Sequence, residues 1–161
     1  MNVLIVDDEV IIRTGLASVI SWSELGLHLL QPAASAEEAL ERLEGERPDI
    51  LITDIRMNGL TGLELAEEAV RRLPGLEVII LSGYGDFAYA QQAIRQGVSD
   101  YLLKTSKPEE IIRTVLKAKQ RLLERRAEDS RAHRQAREER QRQLYKWVIE
   151  GETGAAPGVP E

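Results

Sequence analysis

Five side chains suited to phosphoryl chemistry stand directly after short apolar stretches of this chain. Asp7 and Asp8 follow VLIV, Asp54 follows ILIT, Ser82 follows VIIL, and Lys104 follows SDYLL. Carboxylates brought together repel one another, and a hard divalent cation relieves that repulsion. Oxygen-only ligation with room left for water and phosphate suits Mg2+. A carboxylate beside such a cation can attack phosphorus and form an acyl phosphate. The equatorial oxygens of the group in flight then need positive charge and hydrogen-bond donors. Lys104 offers the charge, and Ser82 and the backbone after residue 53 offer donors. Competing chemistries lack parts. Cys is absent, which removes disulfides and thiolate metal sites, and His28 and His133 fit no catalytic triad.

For these residues to meet, the elements carrying them must end on one rim. Residues 3–6, 27–32, 50–53, 78–81 and 99–102 read as strands; the first, third and fourth are almost continuously apolar, as in strands covered on both faces. Residues 10–21, 36–44, 62–72, 86–96 and 108–123 read as amphipathic helices between and after them. Ser35, with Glu38 three residues on, is a capping-box pattern. Gly26, Gly45, Gly75 and Gly97 punctuate helix ends or the connections after them, and Pro108 opens the last helix. Strict strand–helix alternation implies parallel strands joined by right-handed crossovers. The expected fold class is therefore α/β: a flavodoxin-like, doubly wound five-stranded parallel sheet of order 2-1-3-4-5 with a C-terminal helical extension. In such sheets the functional crevice lies beyond the carboxyl ends of the strands, where all five side chains fall.

Charge adds organisation. Residues 1–123 hold 13 basic and 19 acidic side chains, whereas residues 124–147 hold 8 basic and 5 acidic, so the body is a poor nucleic-acid binder alone. The basic stretch is mixed in sign and reads as a solvated helix face. The expected partition is a domain over 1–123, a helical linker over 124–149 and a flexible tail over 150–161. The helix is expected to continue some turns past Leu123 and then lose order, because no sustained apolar seam appears before Leu144, Trp147 and Val148. No signal peptide or membrane span is legible, which points to a cytoplasmic protein.

The motifs VLIVDDE, ITDIRM-x-G-x-x-G, IILSGY and GVSDYLLK, in this order over residues 1–123, resemble the receiver domain of bacterial two-component response regulators. ISWSELG, DIRM and LSGYGDFAYAQQAIRQGVSDYLLK are similar to receivers of the YesN/AraC-type subgroup. The resemblance implies Asp54 as phosphoacceptor, and Asp7, Asp8, Asp54 and the Arg56 backbone carbonyl as Mg2+ ligands. It further implies Ser82 and Lys104 as phosphoryl-binding groups and Tyr101 as the switch aromatic. A sensor histidine kinase would be the phosphodonor, and DNA would be met only through an AraC-type output domain absent from this sequence. Homodimerisation could use the receiver surface or the helical extension, and the resemblance implies a switch instead of an enzyme.

Two positions depart from that pattern. Asn58 stands where the family usually has Pro, which alters loop stiffness but no ligand. Thr105 follows Lys104 where Pro and a cis bond are usual. A cis bond to a non-proline residue costs about 2.5–4 kcal/mol, so Lys104–Thr105 is either strained cis or trans with a shifted loop.

Blander readings stand beside the sharp ones. Asp8 could simply cap the first helix, Ser82 and Asp54 could be turn formers, Lys104 could be solvated, and Tyr101 could be a packing residue. Two other functions compete: a pseudo-receiver working without phosphate, and a Mg2+-dependent phosphatase with an aspartyl nucleophile. The phosphatase reading needs a D-x-D on the first strand, whereas this chain has adjacent Asp7 and Asp8 there.

Overall fold

Among the described residues, 1–83 and 87–151 of the computed structural model, five parallel strands form one sheet of order β2-β1-β3-β4-β5. They are β1 (Asn2–Val6), β2 (His28–Leu29), β3 (Ile50–Asp54), β4 (Glu77–Ser82) and β5 (Asp100–Leu103). The helices are α1 (Val10–Val19), α2 (Ala36–Glu46), α3 (Gly62–Arg72), α4 (Phe87–Arg95) and α5 (Pro108–Gly151). The architecture and strand order are those expected from the alternation of strand and helix patterns.

Strand periodicity divides the core in two. Val3, Ile5, Ile52, Ile79 and Leu81 pack with Leu16, Ile111, Val115, Ala118 and Leu122 of α1 and α5. Leu4, Val6, Leu51, Val78 and Ile80 pack with Ala39, Leu43, Leu65, Ala66 and Ala69 of α2 and α3. Each large side chain buried this way stabilises the fold by about 1.5–3 kcal/mol. The continuous apolar character of β1, β3 and β4 thus has a simple cause: both faces are covered.

Several boundaries differ from the sequence expectation. The second strand shrinks from 27–32 to His28–Leu29, although Leu30 and Ala33 still donate to Val3 and Ile5 carbonyls at 2.9 and 2.8 Å. It is an edge strand, and Pro32 lacks an N–H to extend the ladder. The fifth strand starts and ends one residue later than expected. The first helix ends at Val19, and a 3-10 turn over Trp22–Leu25 follows, held by Trp22 Nε1 donating to Leu16 O at 3.2 Å. Gly45 lies inside α2; the left-handed residue that ends the helix is Arg47, at φ 45°. The expected fourth helix began at Asp86, which lies outside the described residues; the helix is described from Phe87.

Helix caps also redistribute. Ser35 Oγ accepts from Glu38 N at 3.1 Å, but Glu38 returns its carboxylate to Ala34 N. The reciprocal box sits at Thr61 and Glu64, opening α3. Asp8 does not cap α1; the N-cap position is Glu9, without a side-chain cap bond.

The chain divides into two units, Met1–Leu122 and Leu123–Glu161. In the second unit the helix reaches Gly151, beyond the few turns expected, and residues 123–149 are exposed throughout. Arg, Glu, Gln and Ala are strong helix formers, and the Arg142–Glu139 pair at 3.0 Å adds local support. Intrinsic propensity outweighs the missing apolar seam. Residues 152–161, most of the expected tail, lie outside the described residues.

Candidate functional site

Parallel register delivers the candidate residues to one rim. Val6 pairs with Thr53, so the next residues, Asp7 and Asp54, leave adjacent strands side by side. Ser82 ends β4, and Lys104 directly follows β5 with its N–H on the Ser82 carbonyl at 2.8 Å. Asp7, Asp54 and Ser82 are 0, 2 and 2% exposed, an unusual burial for two carboxylates.

Carboxylate oxygens of Asp7, Asp8, Glu9 and Asp54 lie within 4.8 Å of one another. Lys104 Nζ is the cation among them. It donates to Asp54 Oδ2 at 2.9 Å and to Glu9 Oε1 at 3.1 Å, and it stands 3.5 Å from Asp7 Oδ2. The last contact is an ion pair without a hydrogen bond, and Asp7 Oδ2 remains a buried acceptor with no donor. Asp7 Oδ1 accepts from Glu9 N at 2.9 Å, and Arg13 Nη1 fastens the Asp7 carbonyl at 2.7 Å. Asp8 Oδ2 receives Asn58 N at 3.4 Å from the loop after β3.

One ammonium cannot neutralise this group. Burial pushes the Asp7 carboxyl up to about 6, with the neighbouring Asp54 charge adding to it and the Glu9 N–H opposing. Burial likewise holds Asp54 above its ordinary value although Lys104 pulls it down. On Lys104 burial acts the other way, yet the hydrogen bonds to Asp54 and Glu9 outweigh it and keep the amine firmly protonated. An all-oxygen donor set, surplus negative charge and an orphaned buried carboxylate oxygen together fit a hard divalent cation.

The same frustration predicts a stability effect. Asp7→Asn keeps an oxygen for the Glu9 N–H and turns an amide toward the neighbouring carboxylates. In chelator, the variant is expected to be more stable than wild type by about 1–2 kcal/mol, the scale of one relieved buried polar group. Thermal melts in EDTA check this, and an unchanged or lower midpoint would contradict it.

The remaining candidates take definite places. Ser82 Oγ, at the inner end of the rim, donates to Leu102 O at a long 3.5 Å. Arg56 lies on the loop after β3, its guanidinium 5.3 Å from the Tyr89 ring centroid of α4. Tyr101 sits on β5 opposite Ile80 and is 39% exposed. No described peptide bond is cis, so Lys104–Thr105 is trans, and the amine nonetheless reaches Asp54. The sequence places Glu9 after the first strand beside Asp7 and Asp8 without giving it a role; the structure brings its carboxylate into the cluster.

A doubly wound sheet with an acidic pocket beyond β1 and β3 and a lysine arriving from β5 is a receiver-type architecture. The chain belongs to the response regulator receiver domain family, whose model matches residues 3–116. It is 41% identical over 111 residues to the transcriptional regulatory protein YesN of Bacillus subtilis, covering 69% of this chain and 30% of that protein. The receiver domain of AraT, a response regulator from Geobacillus stearothermophilus, is 41% identical with a TM-score of 0.72, covering 78% of this chain and 97% of that one. A two-component transcriptional regulator AraC from Clostridium phytofermentans is 32% identical with a TM-score of 0.73, covering 79% and 98%. The likeness supports the YesN/AraC-like subgroup. The chain spans under a third of the length of YesN. No helix among the described residues is long and apolar enough to cross a membrane.

Proposed function

We propose that this chain is a phosphoacceptor receiver, phosphorylated on Asp54 by a sensor histidine kinase with Mg2+, which regulates an AraC-type DNA-binding output domain. The observation that carries this reading is the meeting of four carboxylates, Asp54 among them, within 4.8 Å of one another, with Lys104 bonded to Asp54 at 2.9 Å. Asp7, Asp8, Asp54 and the Arg56 carbonyl would hold Mg2+. When bound, the ion neutralises the pocket and draws charge from the incoming phosphoryl oxygens.

The chain's own residues do the rest. An Asp54 carboxylate oxygen attacks phosphorus; the new O–P bond forms as the P–N bond to the donor histidine breaks. The electron pair leaves with the imidazole nitrogen, which takes up a proton. Lys104 moves from carboxylate to phosphoryl oxygen, and Ser82 turns its hydroxyl toward another, exchanging its long bond to Leu102 for a charge-assisted one. Tyr101 then changes position and the surface of α4 and β5 repacks. Asp54 turns over no substrate, so the protein is a switch and not an enzyme.

The groove lined by Ile11, Ile12, Leu16, Val19 and Ile111, and reached by Lys104, would offer the kinase an apolar footing. Residues 1–123 form the receiver in this reading, 124–149 a helical linker and 150–161 a tail. Self-association would run through the receiver surface or the linker. The body's acidic charge agrees with DNA contact belonging to an output domain, and the setting is cytoplasmic.

Incubation with phosphoramidate and Mg2+ tests the reading by intact mass. The expected result is uptake of one phosphoryl group, lost when EDTA replaces Mg2+. No uptake under any donor would instead favour the phosphate-independent interaction module.

A further inference from the structure

Glu9 is the exposed corner of the acidic cluster. Its side chain is 60% exposed, against 3% for Asp54 and 0% for Asp7, so it covers Lys104 from the solvent side. The Lys104 Nζ bond to Glu9 Oε1, 3.1 Å, engages one of the three ammonium donors, and the bond to Asp54 engages a second. Two features keep the carboxylate there. Its backbone N–H is fixed on Asp7 Oδ1 at 2.9 Å, and it occupies the N-cap of the ten-residue α1, where the helix dipole favours negative charge. A small phosphodonor approaching Asp54 from solvent therefore meets a carboxylate already seated on the amine it must engage.

We propose that Glu9 is a charge gate on Lys104, a specificity-determining residue that slows phosphoryl uptake from small dianionic donors relative to less anionic ones. The inference rests on the phosphoacceptor reading and adds a selectivity to it. A donor reaching Lys104 must approach against the Glu9 charge, 3.1 Å from the amine. The repulsion grows with the number of charges on the donor, and water and salt screen it because Glu9 is exposed. A donor with fewer negative charges meets a smaller barrier. The gate thus discriminates by donor charge without contacting the phosphorus.

The test compares wild type and Glu9→Gln, both full chain with Mg2+, by time courses of intact mass. Acetyl phosphate serves as the dianionic donor and phosphoramidate as the monoanionic one at neutral pH. Glu9→Gln is expected to speed uptake from acetyl phosphate by about five- to tenfold and from phosphoramidate by less than about twofold. Added salt should speed wild-type uptake from acetyl phosphate more than it speeds the variant's. Slower uptake from both donors would overturn the gate and make Glu9 a positioning residue for Lys104. A severalfold weaker Mg2+ half-saturation in Glu9→Gln would also overturn it, placing Glu9 among the metal ligands. Equal rates in the two proteins would sink the gate while leaving Asp54 as phosphoacceptor. Absence of uptake by wild type from either donor would remove that reading and the gate together.

Discussion

Asp54→Asn protein is expected to gain no phosphate from phosphoramidate and Mg2+, a fall in rate of at least about a thousandfold, as when a nucleophile is removed from a group of cooperating residues. The substitution replaces one carboxylate oxygen by an amide nitrogen and keeps the side chain's shape. It removes the nucleophile while leaving Asp7, Asp8, Ser82 and Lys104 in place. Because Asp54 is buried and held above its ordinary pKa, losing its charge should not unfold the domain. A far-UV spectrum and a thermal midpoint at or above wild type would establish that the loss is chemical. Continued uptake of phosphate by a folded Asp54→Asn protein would move the acceptor to another residue and end the present assignment. Turnover of an aryl phosphate by wild type, absent in the variant, would revive the phosphatase reading.

The residues that gather at Asp54 were legible in the sequence because strand ends are. VLIV, ILIT and VIIL are runs that only a doubly covered parallel sheet explains well, and such a sheet sends its carboxyl ends to one edge. The helix over Gly62–Arg72 was read to the residue, since its apolar spacing and its terminal arginines agree. The two-residue β2 was not, because an edge strand is defined by which backbone groups find partners. The Trp22–Leu25 turn escaped for a related reason: it is fixed by a tertiary bond from the Trp22 indole to Leu16 O. The capping box at Thr61 and Glu64 has the same sequence pattern, T-G-L-E, as S-A-E-E at Ser35, and only the fold decides which of the two closes reciprocally.

Charge partners were less legible than positions. Lys104 could be placed at the rim from its distance to the last apolar strand, yet nothing in sequence spacing showed that Glu9 shares its amine. That pairing spans 95 residues and depends on the rotamer of an exposed side chain. Thr105 in place of proline leaves open in sequence whether the lysine reaches the pocket. A trans bond and a backbone tie from Lys104 N to Ser82 O answer it, since the tie fixes the loop independently of the following residue.

Gly62→Ala is expected to disable the site from behind. A Cβ at Gly62 would stand 1.8 Å from the Asp54 carbonyl oxygen, 2.7 Å from its carbonyl carbon and 3.1 Å from Ile55 Cα. All three neighbours are backbone atoms, so no side-chain rotamer can relieve the overlap. The close approach has a purpose in the fold: the loop after β3 turns back so that Gly62 N donates to Ile55 O at 2.8 Å and α3 begins against the peptide of Asp54. An added methyl must push α3 off the strand or shift Asp54. The cost is expected to be about 3 kcal/mol or more, in the range of severe backbone and packing conflicts. Phosphate uptake by the fraction still folded should fall by about a hundredfold, since a nucleophile displaced by about 1 Å loses that much. Gly45→Ala is the control. Its Cβ meets nothing within 4 Å inside α2, and relieving helix entropy there should stabilise by about 0.5–1 kcal/mol. Melting curves and uptake rates, both taken well below the variant's midpoint, separate lost fold from lost alignment. A Gly62→Ala protein that melts and takes up phosphate like wild type would show that α3 can retreat freely and that its contact does not set the position of Asp54.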